Sequence, residues 1–168
     1  MKYLVTLVLL ITTFFSSNAQ QEKQIKQAAE LMAKATLNGD YKTLTKYTHP
    51  KVVKMMGGSE KMITVLSGAI NQMKSQGVSF DGATIGEPVK PITVGTELYT
   101  VMPQKIVMKA NGQKISTTST LLANSPNKGK TWYFTDAGGM TDQQIKQLFP
   151  GVLGKLTIAK RSAPVVTK

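Results

Sequence analysis

The hydrophobic period of this chain changes once, near Gly77, and that change sets the fold class. Before Gly77, apolar residues recur at intervals of three and four; after it, short β-rich runs alternate with turn signals. Ile25, Ala28, Ala29, Met32 and Ala35 form one helical stripe within 20–37, and Asn38-Gly39 stops it. Asp40 is placed to cap a short helix over 41–48, which puts Leu44 and Tyr47 on one face. His49-Pro50 breaks that helix, because a residue before proline avoids the helical region. Residues 51–56 can add a turn or two, ended by Gly57-Gly58. Ser59 is the expected cap of a third long helix, with Met62, Leu66, Ala69, Ile70 and Met73 as its buried stripe and Gly77 at its end.

Strands are predicted over 78–85, 92–94, 97–102, 105–110, 113–123 and 131–136. Pro88 and Pro91 isolate the 92–94 piece as an edge, and Pro103 separates the two strands beside it. Asn111-Gly112 is a two-residue hairpin signal. Thr141 and Gln144 make a capping box for a helix running to Phe149, which Pro150 ends. Residues 159–168 are basic and aperiodic, so a flexible tail is expected. The segment Ser125-Pro126-Asn127-Lys128-Gly129-Lys130-Thr131-Trp132 resembles the Asp-box hairpin of sialidases, with Asn127 in place of the Asp. One copy cannot build a propeller. It reads as turn chemistry, with Asn127 and Gly129 supplying permissive backbone angles and Trp132 packing behind. Alternation buries either Trp132 with Phe134, or Tyr133 with Thr131. Trp132 is expected in the core, against the helix carrying Leu66 and Ile70.

Helices first and an antiparallel meander second indicate α+β rather than alternating α/β. Four stretches carry a family likeness: Asn38-Gly39-Asp40-Tyr41, the Tyr47-Thr48-His49-Pro50 break, Gly57-Gly58, and Trp132-Tyr133-Phe134-Thr135-Asp136. Over about residues 21–150 the chain resembles the nuclear-transport-factor-like superfamily, the cystatin-like cone shared by ketosteroid isomerases and scytalone dehydratases. It looks most like small secreted bacterial members that carry only this domain. The resemblance implies N-terminal helices packed on a strongly bent antiparallel sheet, with a pocket in the cone that is catalytic, ligand-binding or filled.

The first residues bear the marks of export. Lys2 precedes a charge-free apolar run from Leu4 to Phe15, and Ser17 and Ala19 stand at the positions a signal peptidase reads. The run is shorter than the roughly 20 residues a membrane-spanning helix needs. Residues 1–19 are therefore expected to be a signal peptide, 20–158 a single domain, and the destination the periplasm or the medium. With no Cys there is neither a disulfide framework nor a lipid-bearing N-terminal cysteine. With a single His there is no transition-metal ligand set, and no cofactor motif is present, so neither metal nor cofactor is expected. The 21 basic residues outnumber the 9 acidic ones, giving a formal charge of +12, yet Arg161 is the only arginine. Arginine forks suited to nucleic-acid bases are missing, so specific nucleic-acid binding is not expected. The scattered lysines suit either a solvated surface or attraction to an anionic envelope surface.

His49 and Asp136 are the acid/base candidates, and each has an ordinary structural alternative. His49 can cap a helix or face water at the break; Asp136 can serve the turn toward Gly138-Gly139. Asp81 is a third carboxylate of interest. Tyr47, His49, Trp132 and Asp136 are the expected pocket lining. No serine or cysteine stands in a nucleophile setting. The sequence thus suggests a non-catalytic exported domain that binds a small apolar ligand or a protein partner, with a homodimer among its possible assemblies. Two alternatives accompany it. One is an isomerase or dehydratase with Asp136 or His49 as base and Tyr47 as donor to a developing oxyanion. The other is a lysine-mediated binder of envelope surfaces.

Overall fold

The computed structural model describes residues 2–167, with side chains described for 19–166. All but the last residue of the expected signal peptide lies outside the residues whose side chains are described. The helices are α1 (Lys2–Asn38), α2 (Tyr41–Tyr47), α3 (Pro50–Met55), α4 (Ser59–Ser75) and α5 (Asp142–Leu148). The strands are β1 (Val78–Ile85), β2 (Ile92–Val94), β3 (Glu97–Ala110), β4 (Gln113–Ser125), β5 (Tyr133–Asp136) and β6 (Val165–Thr167). They form one antiparallel sheet in the order β1-β3-β4-β5, with β2 on β3 and β6 on β4. The fold is mixed α+β: the N-terminal helices precede a curled sheet that makes a half-barrel. Among the described residues no helix is long and apolar enough to cross a membrane.

The hairpin between β3 and β4 sets which side chains share a face. Asn111 and Gly112 both take positive φ, 51° and 78°, as a two-residue turn of this kind requires. Ala110 then pairs with Gln113, and the register runs without a break to Leu98 opposite Ser125. Alternation sends Met102 and Leu121 to one face with Ile85 and Phe134, where α1 covers them with Ile25, Ala29 and Met32. It sends Tyr99, Val101 and Leu122 to the other face, under Ile145, Leu148, Phe149 and Val152 from α5 and the chain after it. These are the α1 face and the α5 face below. Burying each such large side chain contributes about 1.5–3 kcal/mol.

Six local expectations are corrected. Pro103 does not divide β3. Its carbonyl accepts from Gly86 N at 2.8 Å, just beyond the last residue of β1, so its missing N–H falls where the β1 ladder has ended. Nor is the C-terminal segment a free tail. Arg161 N donates to Gly138 O (2.9 Å), Ser162 N to Thr118 O (2.8 Å), and β6 pairs with Lys114–Ser116. Strand β5 covers β4 only from Leu121 to Asn124, so the rest of that edge has backbone groups free to pair with the tail. Helix α4 buries only Met62 of its expected stripe: Leu66, Ile70 and Met73 are half-buried and Ala69 is exposed. Accordingly Trp132 packs in the cluster of α1, not against Leu66 and Ile70, although it is buried with Phe134 as one of the two alternations required. Gly58, not Ser59, holds the cap of α4, and no side chain bonds there. In the Asp-box-like loop the positive φ values belong to Lys128 (59°) and Gly129 (87°); Asn127 instead accepts from Thr131 N at 2.8 Å through Oδ1.

Candidate functional site

The four residues expected to line one pocket lie in three places. Asp136 ends β5 opposite Leu121, on the α1 face. Ser119 Oγ donates to its Oδ1, and Arg161 Nη2 donates to its Oδ2 at 2.6 Å. It therefore anchors the C-terminal segment rather than the turn toward Gly138-Gly139. A side chain at Gly139 would press on that guanidinium, with a Cβ 2.9 Å from Arg161 Nη2. Beside Asp136, farther along the α1 face than the helix packing, is a cavity of about 170 Å³. Phe80, Ile106 and Met108 form its apolar wall, and Gln104 and Thr117 join Asp136 on its polar side. Gln104 is buried, and its Oε1 has no hydrogen-bond partner among the described residues.

His49 lies on the α5 face. His49 N donates to Phe134 O at 3.2 Å, and Thr48 bridges to Phe134, which pins the helix break to β5. Its Nδ1 accepts from Lys51 N at 3.2 Å and caps α3. The ring is buried edge-on to Phe149, centroid to centroid 4.9 Å, so the solvent position is not adopted. With Nδ1 accepting, the proton of the neutral ring sits on Nε2. The ring also bonds with the Asn124 side chain. Asn124 Nδ2 donates to Glu97 Oε2 at 2.7 Å, and the Tyr99 hydroxyl donates to the same oxygen at 2.5 Å. Burial holds the His49 pKa below its ordinary 6.5 and Lys51 adds to this, while Glu97 and Asn124 oppose it. Burial and then Glu97 push the Tyr99 hydroxyl well above its usual range. Asn124, Glu97 and Tyr99 were not singled out from sequence. The i, i+2 spacing of Glu97 and Tyr99 at the head of a strand was the available signal, since it places both on one face.

Tyr47 and Trp132 line a separate open groove of about 770 Å³, between the 20–28 stretch of α1, the end of α2 and the β4–β5 loop. Tyr47 is half-buried, 6.3 Å from the Phe134 ring. Trp132 is 5% exposed, and its Nε1 has no partner among the described residues. Asp81 belongs to none of these places. It is the extra residue of a bulge in β1 and pairs with Lys109 and Lys114, both at 2.8 Å, which lowers its pKa. Among the described residues no group of three His, Cys, Asp or Glu is arranged to hold a metal ion.

No protein-family model matches this chain, and no curated protein matches it in sequence.

Proposed function

We propose that the protein is an exported, non-catalytic binding domain of the nuclear-transport-factor-like type, whose cavity beside Asp136 takes a small apolar molecule carrying a hydrogen-bond donor. The observation that carries this reading is the Gln104 amide, buried at the cavity with an unpartnered Oε1. An orphaned buried carbonyl costs about 1–3 kcal/mol, and a rotation of the Gln104 side chain that exposes Oε1 to the cavity would let a ligand donor recover it. Phe80, Ile106 and Met108 offer the apolar complement. The volume suits a molecule smaller than those that fill ordinary pockets of about 300–1,000 Å³. The helix-covered, curled sheet supports the superfamily resemblance. The separation of His49 from Asp136 by the sheet supports binding over catalysis, since an acid and a base must reach one substrate. The Asp136 carboxylate, held by Ser119 and Arg161, has both oxygens engaged. Export rests on Lys2, the apolar run and the Ser17-x-Ala19 pattern.

Native mass spectrometry of protein recovered from its own host tests this, using wild type and Ile106→Trp, which fills the cavity. The wild type is expected to start at Gln20 and carry a non-covalent adduct that the folded variant lacks. A wild type without adduct, or the same adduct on both, overturns the ligand reading. A mature chain that retains Leu4 to Phe15 overturns export.

A further inference from the structure

The groove at Tyr47 and Trp132 is independent of the Asp136 cavity and has its own chemistry. Lys46, Lys128 and Lys130 line it, and no Asp or Glu does. Lys128 and Lys130 have no ion pair among the described residues. Lys128 stands at φ 59°, a left-handed position where glycine or asparagine is the usual occupant. The loop is held firmly. Ser125 Oγ accepts from Gly129 N at 2.8 Å and bonds Asn127 Oδ1 at 3.0 Å, while Thr131 N reaches the same Oδ1 at 2.8 Å. Two ammonium groups therefore extend from a preorganised hairpin, which lowers the ordering cost of binding. Across the groove Gln20, Gln21 and Gln24 of α1 supply neutral amides, each able to donate and accept.

We infer that this groove binds an acidic oligosaccharide. The lysines act as point charges toward carboxylates spaced along a chain. The glutamine amides suit hydroxyl groups, and the half-buried Tyr47 ring suits the apolar face of a sugar. The groove exceeds what one small anion needs, and its volume lies in the range for molecules of many atoms. A flat lipid surface cannot enter a concave site lined on three sides, which favours a soluble polymer over a membrane.

Trp132 is the only tryptophan of the chain and part of the lining, so its emission reports on the groove. The test titrates the mature chain with trigalacturonate, with neutral maltotriose and with phosphatidylglycerol vesicles. Trigalacturonate is expected to change the emission saturably, with affinity that weakens as salt rises; maltotriose is not. The folded double variant Lys128→Gln/Lys130→Gln is expected to bind about tenfold more weakly. Lys105→Gln, exposed on β3, and Ile106→Phe, which narrows the Asp136 cavity without adding a second tryptophan, are expected to bind as wild type does, so this inference and the Asp136 reading fail separately. Equal responses to the acidic and neutral sugars, or an unchanged affinity in the double variant, overturn the inference. So does vesicle binding that depends on Lys128 and Lys130 while trigalacturonate gives no response.

Discussion

The two faces of the sheet are built from the same strands and end in opposite conditions. On the α5 face, Phe149 and its neighbours seal the apolar positions, and the polar side chains satisfy one another from His49 through Asn124 and Glu97 to Tyr99. On the α1 face, apolar packing stops after Met102 and Leu121; Gln104, Ser119 and Asp136 take over beside an open cavity. His49 and Gln104 are about equally buried, 6% and 9% exposed, but only Gln104 keeps an atom without a partner. Burial alone therefore does not mark a binding residue. What separates His49 from Gln104 is whether the buried polar atoms are already satisfied; the contrast belongs to these two side chains, since Thr135 Oγ1, opposite Leu122 on the α5 face, also has no partner among the described residues.

The largest expected difference is in packing. Phe149→Ala removes a fully buried ring from the α5 face and is expected to cost about 3–5 kcal/mol in urea denaturation. Met108→Ala, in the cavity wall, leaves less new void and is expected to cost well under half as much. Equal losses would erase the contrast. Next comes polar satisfaction. Glu97→Ala strands Asn124 Nδ2 and the Tyr99 hydroxyl, at about 1–3 kcal/mol. Gln104→Leu removes an orphaned carbonyl and is expected to leave stability unchanged or raised. A Gln104→Leu loss as large as that of Glu97→Ala would mean that Gln104 is satisfied after all.

His49 gives a pH test. Its folded pKa is depressed below the unfolded value of 6.5, so the unfolded chain takes up the proton more readily. Its contribution to stability is fully present above about pH 6.5 and declines as pH falls from there toward the folded pKa. Melting points taken from pH 8 down to 5 should show this slope in wild type and lose it in His49→Gln. An unchanged slope in that variant would assign it to other groups. The smallest effect belongs to the α1 face: Arg161→Ala breaks a half-exposed ion pair with Asp136 and should cost at most about 1 kcal/mol. A larger loss would make the C-terminal segment part of the core.

Local signals are legible in the sequence and long-range ones are not. The Thr141–Gln144 capping box, the Asp40 cap and the Asn111-Gly112 turn are each specified by residues a few positions apart, and all three stand in the structure. The pairing of β6 with β4 runs through backbone groups, which leave no mark in side-chain periodicity. The Asp136–Arg161 pair spans 25 positions and has no local signature. Helical spacing shows that α4 has an apolar stripe but not how far it is covered, and Leu66 and Ile70 are only half-buried. Alternation grouped strand residues by face without saying which face α1 would cover. For that reason the sequence suggests one pocket for His49, Asp136, Tyr47 and Trp132, whereas they occupy three places.

The most direct test is a methyl NMR titration of the chain from Gln20 onward with phenol, an apolar ring with one hydrogen-bond donor that suits the Gln104 side of the cavity. The Ile106 and Met108 methyl signals are expected to shift saturably, and those of Val101 and Leu122 on the α5 face to stay in place. Ile106→Trp should abolish the response. Shifts of equal size on both faces, or no saturable shift at Ile106 and Met108, would contradict the account.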